Sequence, residues 1–355
     1  MELQIITLKS RISACFSCYF AQRRFGASAT PLFTLKNSKT MKATFRILAA
    51  LFLGLPASIL SVSAQDPYTL KQAIPPPTAS PQSGGQLGYS VAVEGGYTVV
   101  GVPFDNTGGN RSGVAKVFDS TSGALLFVLL NPRPADLSFG ISVAISGTRV
   151  VVGAYSESTG TINAGSAYVY DLSSGTPSVP VATLNNPSPA IDDQFGLTVA
   201  ISGTRVVVGA PGDDTVATNA GSAYVYDLAS GTPTVPVASL INSVANASFG
   251  KSVAISGTNV VIGAPDDSST GVSRSGSAYV YDLTSVTPTV PVVSLNNPTP
   301  ADSDYFGYSV AISGVRVVVG APRDYTGAAN AGSAYVYLGI DMTPPAATAC
   351  GVRWC

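Results

Sequence analysis

The chain has 355 residues and a formal net charge of −1, and only 11% of its residues are charged. Residues 65–355 carry 11 Lys and Arg against 19 Asp and Glu, so this part has a net charge of −8 and would repel a polyanion such as DNA. The sequence contains no His, and its four Cys lie at the two ends of the chain, which excludes Ser-His-Asp and Cys-His catalytic sites and a four-cysteine zinc site. We therefore expect neither an enzyme nor a nucleic-acid-binding protein.

The segment 41–64 has the anatomy of a secretory signal peptide. Lys42 and Arg46 form a positive start, residues 47–60 form an apolar stretch, and Ala64 ends a small-residue cleavage motif. Residues 1–40 precede this segment and are interpreted as an over-extended start, with an amphipathic helix or a retained anchor as the alternatives for the N-terminus. Beyond residue 64 no apolar run is long enough to span a membrane. The mature protein is therefore expected to be secreted or held at the cell surface, without a membrane span.

One short motif occurs five times after the signal peptide. Each copy has Phe or Leu, then Gly, one variable residue, and a strand of the type Ser-Val-Ala-Ile, and the copies are separated by 52 to 57 residues. A period near 50 residues with several strands per repeat is typical of propeller blades. The glycines of the five copies are Gly88, Gly140, Gly196, Gly250 and Gly307.

Each repeat is predicted to form four strands. In the third repeat the first strand is 195–201, and a Ser-Gly-Thr turn leads to a β-branched second strand, 206–211. A polar loop of about ten residues precedes the third strand, 221–226, and a turn that begins at Asp227 leads to the fourth strand, 236–240.

The fifth repeat ends after its third strand, 332–337. The segment 70–76 shares the apolar and proline spacing of the fourth strands and is predicted to complete the last blade, closing the ring at the two chain ends. The predicted fold is an all-β propeller of five four-stranded antiparallel blades over residues 65–340, present as a monomer. Residues 341–355 are predicted to be a disordered tail or a truncated linker, and a Cys350–Cys355 bridge stays open.

The repeats resemble the FG-GAP repeat of integrin α-subunit heads. Phe-Gly opens the first strand, and Gly-Ala-Pro closes the second strand at Gly209, Gly263 and Gly320, with deviations after Gly101 and Gly153. The resemblance covers about residues 66–340 and implies a β-propeller like those of exported bacterial FG-GAP proteins. Integrin heads have seven blades and calcium loops of the form DxDxDGxxD, and this sequence has five repeats and no such loop, so those calcium sites do not carry over.

Acidic residues gather at one predicted edge of the blades. The strand order places the loops between strands two and three, and the connections between blades, at the same edge. These loops hold Asp105, Asp136, Asp192, Asp193, Asp213, Asp214, Asp266, Asp267, Asp302, Asp304 and Asp324.

Three interpretations of these carboxylates are open. Turn formation is favoured, because Asp caps backbone N–H groups and the repeat copies that turn. Ca²⁺ binding and direct contact with a partner are the alternatives. The candidate calcium ligands are Asp192, Asp193, Asp213, Asp214, Asp266, Asp267, Asp302 and Asp304.

The predicted function is a secreted or cell-surface binding or adhesion module that presents its loops to a protein or glycan partner. One alternative is a structural spacer in a larger envelope or matrix protein, because the segment 341–345 has the composition of a linker. Another is a calcium-dependent, lectin-like module, for which Tyr305 and Tyr325 are the candidate aromatic contacts.

Overall fold

The computed structural model describes Ala73, residues 84–326, residue 328 and residues 330–339. Contacts divide the chain into Met1–Leu70 and Lys71–Cys355, and every described residue belongs to the second unit. The described part contains strands and turns, and it includes no helix long and apolar enough to cross a membrane. The predicted signal peptide, the segment before it and the C-terminal tail lie outside the described residues.

The strands form five antiparallel sheets, in which neighbours along the chain are also neighbours in the sheet. Sheets 1 to 4 have four strands each, and sheet 5 has three described strands. Sheet 1 comprises β1 (Ser90–Glu94), β2 (Tyr97–Val102), β3 (Val114–Asp119) and β4 (Leu125–Leu130). Sheet 2 comprises β5 (Ser142–Ser146), β6 (Arg149–Ala154), β7 (Ser166–Asp171) and β8 (Ala182–Asn185). Sheet 3 comprises β9 (Thr198–Ser202), β10 (Arg205–Ala210), β11 (Ser222–Asp227) and β12 (Ala238–Ile241). Sheet 4 comprises β13 (Ser252–Ser256), β14 (Asn259–Ala264), β15 (Ser277–Asp282) and β16 (Val293–Asn296), and sheet 5 comprises β17 (Ser309–Ser313), β18 (Arg316–Ala321) and β19 (Ser333–Tyr337).

These sheets confirm the all-β prediction and the antiparallel order of strands in each repeat. The bounds differ by one to three residues. In sheet 3, β9 begins at Thr198, three residues after the predicted start at Phe195. β12 begins at Ala238, two residues after the predicted start at Pro236, because proline has no N–H to donate to the ladder. The segment 70–76, predicted to complete sheet 5, lies outside the described residues except for Ala73.

The first two strands of each sheet are joined by a two-residue turn. In sheet 3, Ser202 pairs with Arg205 across Gly203 and Thr204, and Gly203 has φ +62°. A glycine with positive φ at the first central position is the pattern of a type II′ hairpin turn, which matches the twist of the strands. The predicted Ser-Gly-Thr turns therefore occupy the conformation that their glycine permits.

A separate hydrophobic core fills each gap between consecutive sheets. Between sheets 2 and 3, buried Phe195 lies 5.7 Å from Tyr224 and 6.3 Å from Tyr226 between ring centroids. Phe139, Phe249 and Phe306 make the corresponding ring contacts in their own sheets. The Phe of each repeat thus belongs to the interface with the preceding sheet.

A close backbone approach joins each sheet to the next. A Cβ atom added at Gly209 in β10 would lie well inside 3.0 Å of the carbonyl oxygen of Gly250, which begins the next repeat. The Thr198 hydroxyl donates a hydrogen bond of 2.8 Å to that same oxygen. Gly101, Gly153 and Gly263 make the same approach to the next sheet, beside the hydroxyls of Ser90, Ser142 and Ser252.

The first strands of the five sheets lie side by side in chain order: β1 contacts β5, β5 contacts β9, β9 contacts β13, and β13 contacts β17. The variable residue after the Phe-Gly or Leu-Gly pair of each repeat lines one shared cavity of about 310 Å³. These residues, drawn from all five repeats, are Tyr89, Ile141, Leu197, Lys251 and Tyr308.

The glycine contact predicts a large and local effect on stability. In Gly209→Ala the new methyl group must displace the backbone of the next sheet, and we expect the free energy of unfolding to fall by about 3 kcal/mol. Urea denaturation measures this change. Gly231→Ala is the matched control, because a Cβ there meets no atom within 4 Å, and it should change stability by less than about 0.5 kcal/mol. Equal effects of the two substitutions would contradict the proposed role of the contact.

Candidate functional site

The loops between strands two and three meet the connections between sheets at one edge, here called the connector edge. The Asp192 N–H, in the connection before sheet 3, donates to the carbonyl of Ile162 in the loop of sheet 2, with N···O 3.0 Å. The Asn246 N–H donates in the same way to Thr218, at 2.7 Å. The opposite edge, here called the turn edge, holds the turns between strands one and two and between strands three and four.

The predicted acidic residues at the connector edge separate by burial. Asp192, Asp214 and Asp302 are exposed, and Asp136 and Asp266 are half-buried. The others are buried: Asp105, Asp193, Asp213, Asp267, Asp304 and Asp324. Neighbouring aspartates such as Asp192 and Asp193 therefore have different surroundings.

A buried acid after the second strand accepts a hydrogen bond from a tyrosine in the third strand. In sheet 3, the Tyr224 hydroxyl donates to Asp213 Oδ2 at 2.5 Å, and the Thr215 N–H donates to Oδ1 at 2.7 Å. The second contact is the hydrogen bond of an Asx turn, which fixes the start of the loop. The other pairs are Tyr168 with Glu157, Tyr279 with Asp267, and Tyr335 with Asp324.

Sheet 1 replaces the tyrosine by a lysine. Lys116 Nζ lies 3.2 Å from Asp105 Oδ2, and both side chains are buried. Lys116 occupies the position of Tyr224, eleven residues after the acid in both repeats. A buried carboxylate needs a donor or a cation, so the two solutions satisfy the same requirement.

Two of the buried aspartates retain an oxygen without a partner among the described residues. Asp193 Oδ2 accepts the Asn186 side-chain amide and the Ala190 N–H, each at 2.6 Å, whereas Oδ1 accepts none. Burial raises the pKa of Asp193 to about 6, and the nearby Asp213 carboxylate adds to the shift.

Asp304 repeats this arrangement between sheets 4 and 5. Its Oδ2 accepts from Asn297 and Ala301, its Oδ1 has no partner among the described residues, and burial raises its pKa. Between sheets 3 and 4 the corresponding position is Ala247. The buried aspartate two residues before the Phe therefore occurs between sheets 2 and 3 and between sheets 4 and 5, but not between sheets 3 and 4.

The candidate calcium ligands do not assemble into one carboxylate cluster. Within residues 84–339, as far as they are described, no three Asp, Glu or Cys side chains come close enough to hold a metal ion. Ca²⁺ takes six to eight oxygen ligands, and oxygens of Asp193, Asp213 and Asp267 already accept internal hydrogen bonds. A site here would need most of its ligands from backbone carbonyls or water, and calcium binding stays a prediction.

Glu157 is a buried acid at the connector edge that sequence analysis did not include among the candidate residues. It is fully buried, Oε2 accepts the Tyr168 hydroxyl at 2.8 Å, and Oε1 has no partner among the described residues. Burial raises its pKa to about 7, against the lowering effect of the Tyr168 hydrogen bond.

A polar cavity of about 530 Å³ opens at the connector edge between sheets 3 and 4. Lys251 lines this cavity and also the 310 Å³ cavity beside the first strands, here called the central cavity because all five repeats contribute to its lining. Sequence reasoning did not single out Lys251. The available signal was its position, because the other four repeats have Tyr, Ile or Leu there.

The two tyrosines considered as lectin contacts lie at the connector edge. Tyr325 is half exposed, whereas Tyr305 is half-buried beneath the Arg323 guanidinium, 5.0 Å from the ring centroid. Neither residue lines the 530 Å³ cavity.

Comparison with known families gives one repeated match. A family model described as the FG-GAP repeat matches residues 135–170, 181–226, 240–281 and 296–337. These segments contain strands of sheets 2 to 5. No curated protein matched the chain.

The Lys116–Asp105 pair predicts different effects for two substitutions of one residue. Lys116→Met leaves a buried carboxylate without its cation, and we expect the free energy of unfolding to fall by about 3–5 kcal/mol. Lys116→Tyr restores the pair found in the other sheets and should cost clearly less. Chemical denaturation of both variants measures their free energies of unfolding. If Lys116→Met lost less stability than Lys116→Tyr, the Asp105 carboxylate would not need a partner.

The pKa of Glu157 predicts a pH-dependent stability. The folded pKa of about 7 lies above the ordinary 4.5, so the unfolded chain releases this proton first as the pH rises. The contribution of Glu157 to stability is complete below pH 4.5 and is lost as the pH rises through 7. We expect Glu157→Gln to gain on the order of 1–3 kcal/mol relative to the parent between these limits.

Thermal or urea unfolding across pH 4 to 8 measures this difference. Glu94→Gln is the control, because it makes the same substitution at an exposed glutamate, whose Oε1 accepts the Gly147 N–H at 3.0 Å. Parallel profiles for Glu157→Gln and the parent would refute the assignment.

Proposed function

The chain is an FG-GAP repeat protein, and on that premise we propose that it is a non-catalytic binding module that presents its connector edge to a protein or glycan partner. FG-GAP repeats are typical of extracellular or surface proteins, and the predicted signal peptide at 41–64 supports export. The observation that carries the proposal is the repeat-specific polar cavity at the connector edge, mounted on a framework of near-identical sheets.

The two edges differ in how much their residues vary. At the turn edge the sequence Leu-Ser-Ser-Gly-Thr-Pro at 172–177 returns almost unchanged at 228–233. At the connector edge Tyr-Ser-Glu at 155–157 corresponds to Pro-Gly-Asp at 211–213. Binding residues commonly lie on variable loops positioned by a rigid scaffold, so the variation favours the connector edge.

The same premise supports a closed ring of five blades. The central cavity draws residues from all five sheets, Tyr89 of the first and Tyr308 of the last among them. We propose that the segment 70–76 pairs with the free edge of β19 and completes the fifth blade, because a ring removes exposed sheet edges.

The function proposal predicts that binding depends on one edge. The full chain would be screened against arrays of glycans and purified extracellular matrix proteins, with Ca²⁺ and with a chelator. For a partner so found, Val216→Arg at the connector edge should lower the affinity on the order of tenfold by steric hindrance. Val235→Arg at the turn edge should leave the affinity unchanged.

These valines form a matched pair, with 46% and 54% of their surface exposed. If only Val235→Arg lowered the affinity, the partner would bind at the turn edge, and the proposal of the connector edge would be wrong. A chain that binds no member of either array would favour the spacer alternative.

A further inference from the structure

The cavity between sheets 3 and 4 has the size of a small-ligand site. Its volume of about 530 Å³ lies within the range of about 300–1,000 Å³ that such sites occupy. Most of its walls come from three segments: the loop of sheet 3 at Asn219, the connection at Asn246, and the loop of sheet 4 at Arg274. Gln194, from the connection before sheet 3, completes the lining. Backbone hydrogen bonds between Asn246 and Thr218, and between Ser248 and Asn219, hold two of these walls together.

Lys251 supplies a cation that the fold does not use. It is half-buried, and its ammonium group has no hydrogen bond or ion pair with any described residue. The other lysine in the described part, Lys116, is buried and paired with Asp105. In the other repeats the position of Lys251 is occupied by apolar or aromatic residues, so a lysine is not needed for the framework.

Arg274 supplies a second cation with donors to spare. Its Nε lies 3.7 Å from Asp266 Oδ1, and its Nη1 lies 3.5 Å from the Tyr305 hydroxyl, so both contacts are long. The backbone of Arg274 has φ +48°, a conformation that Asn adopts more readily. Three other repeats have Asn at this position: Asn163, Asn219 and Asn330.

The remaining lining is mostly polar and neutral, with two apolar residues and one carboxylate. Gln194, Asn219 and Asn246 each offer both a donor and an acceptor, and serine hydroxyls add further groups of this kind. Asp266 is the one acid of the lining, and its Oδ2 accepts the Ser248 hydroxyl at 2.8 Å. The lining therefore has a net positive charge on an edge that is otherwise rich in carboxylates.

This chemistry favours a sugar over a peptide. Sugar hydroxyls donate and accept hydrogen bonds, as the amides and hydroxyls of the lining do. A peptide groove would present apolar pockets for side chains, whereas Pro211 and Ala245 are the main apolar residues of this lining. The two cations would form charge-assisted hydrogen bonds with a carboxylate on the ligand.

We propose that this cavity binds a sugar unit that carries a carboxylate, with Lys251 and Arg274 holding the carboxylate and the amide side chains holding the hydroxyls. The proposal rests on the proposed function and names its ligand class. It assigns the cavity a role that the repeated framework does not require.

Calorimetric titration of the full chain tests the proposal with a panel of acidic oligosaccharides. The panel contains trigalacturonate, a glucuronate trisaccharide and a sialyl trisaccharide, each compared with its neutral methyl ester. We expect at least one acid to bind and its ester to bind on the order of tenfold more weakly or not at all.

Each variant in the test uses a residue that the chain already has at the same repeat position. Lys251→Leu copies Leu197, and Arg274→Asn copies Asn219, so both should fold, which a melting curve verifies. Each should weaken binding of the acid on the order of tenfold. Arg205→Asn, which copies Asn259 in β14, removes a cation at the turn edge and should leave binding unchanged.

The outcomes separate this proposal from the broader one. If an acidic oligosaccharide and its methyl ester bind equally well, the role assigned to the two cations is wrong. If a polyglutamate peptide binds as tightly as the acidic oligosaccharide, the assignment of a sugar as the ligand is wrong. If no acidic sugar binds but another partner is lost in Val216→Arg, this inference fails and the binding function stands. If no partner depends on the connector edge, both fail.

Discussion

The structure depends on the contact between a glycine in the second strand of one sheet and the Phe-Gly carbonyl of the next. Any side chain at Gly209 would hold Gly250 away, and the Thr198 hydroxyl satisfies the carbonyl that the approach brings into the interior. The two halves of the FG-GAP signature therefore meet across a joint between neighbouring sheets. Phe195 and its equivalents fill the space beside each joint, so one short motif sets both spacing and core.

A rigid joint allows the loops beyond it to differ. The acid–tyrosine pairs, such as Asp213 with Tyr224, hold the start of each loop at the end of its strand. The carboxyl groups of these pairs are buried, so they are not part of the surface that the loops present. What remains at the surface is a set of side chains that change from repeat to repeat, with Lys251 and Arg274 among them. In the proposed function, framework and recognition would use different residues of the connector edge.

Much of the fold was predictable because the same pattern of strands and turns recurs in every repeat. The five repeats, four of which begin with Phe-Gly and one with Leu-Gly, predicted the sheets, and strand order predicted the edge that collects the aspartates. Burial within that edge did not follow, because Asp192 and Asp193 are alike in sequence and differ only in direction. The spacing of eleven residues between acid and tyrosine in sheets 2, 3 and 5, and of twelve in sheet 4, was a signal of the pairing. Lys116 keeps the spacing of eleven but replaces the tyrosine. The cavity near Lys251 needed three separate segments to be placed together, and no local pattern encodes that.

The contacts between neighbouring sheets also determine which sheets open most often by local fluctuation. Sheet 3 packs on a neighbour at each face, whereas the described contacts of sheet 5 cover one face and leave Val336 with 63% of its surface exposed. In the proposed ring, the joint between sheets 5 and 1 is closed by a separate segment, so fluctuations are expected to open these two sheets more often than the others. Slow amide exchange would then concentrate in sheets 2, 3 and 4, each of which packs on a neighbour at both faces. The cavity lined by Lys251 lies between two of these sheets. Its side chains would then be ordered before a ligand binds, and binding would cost little conformational entropy.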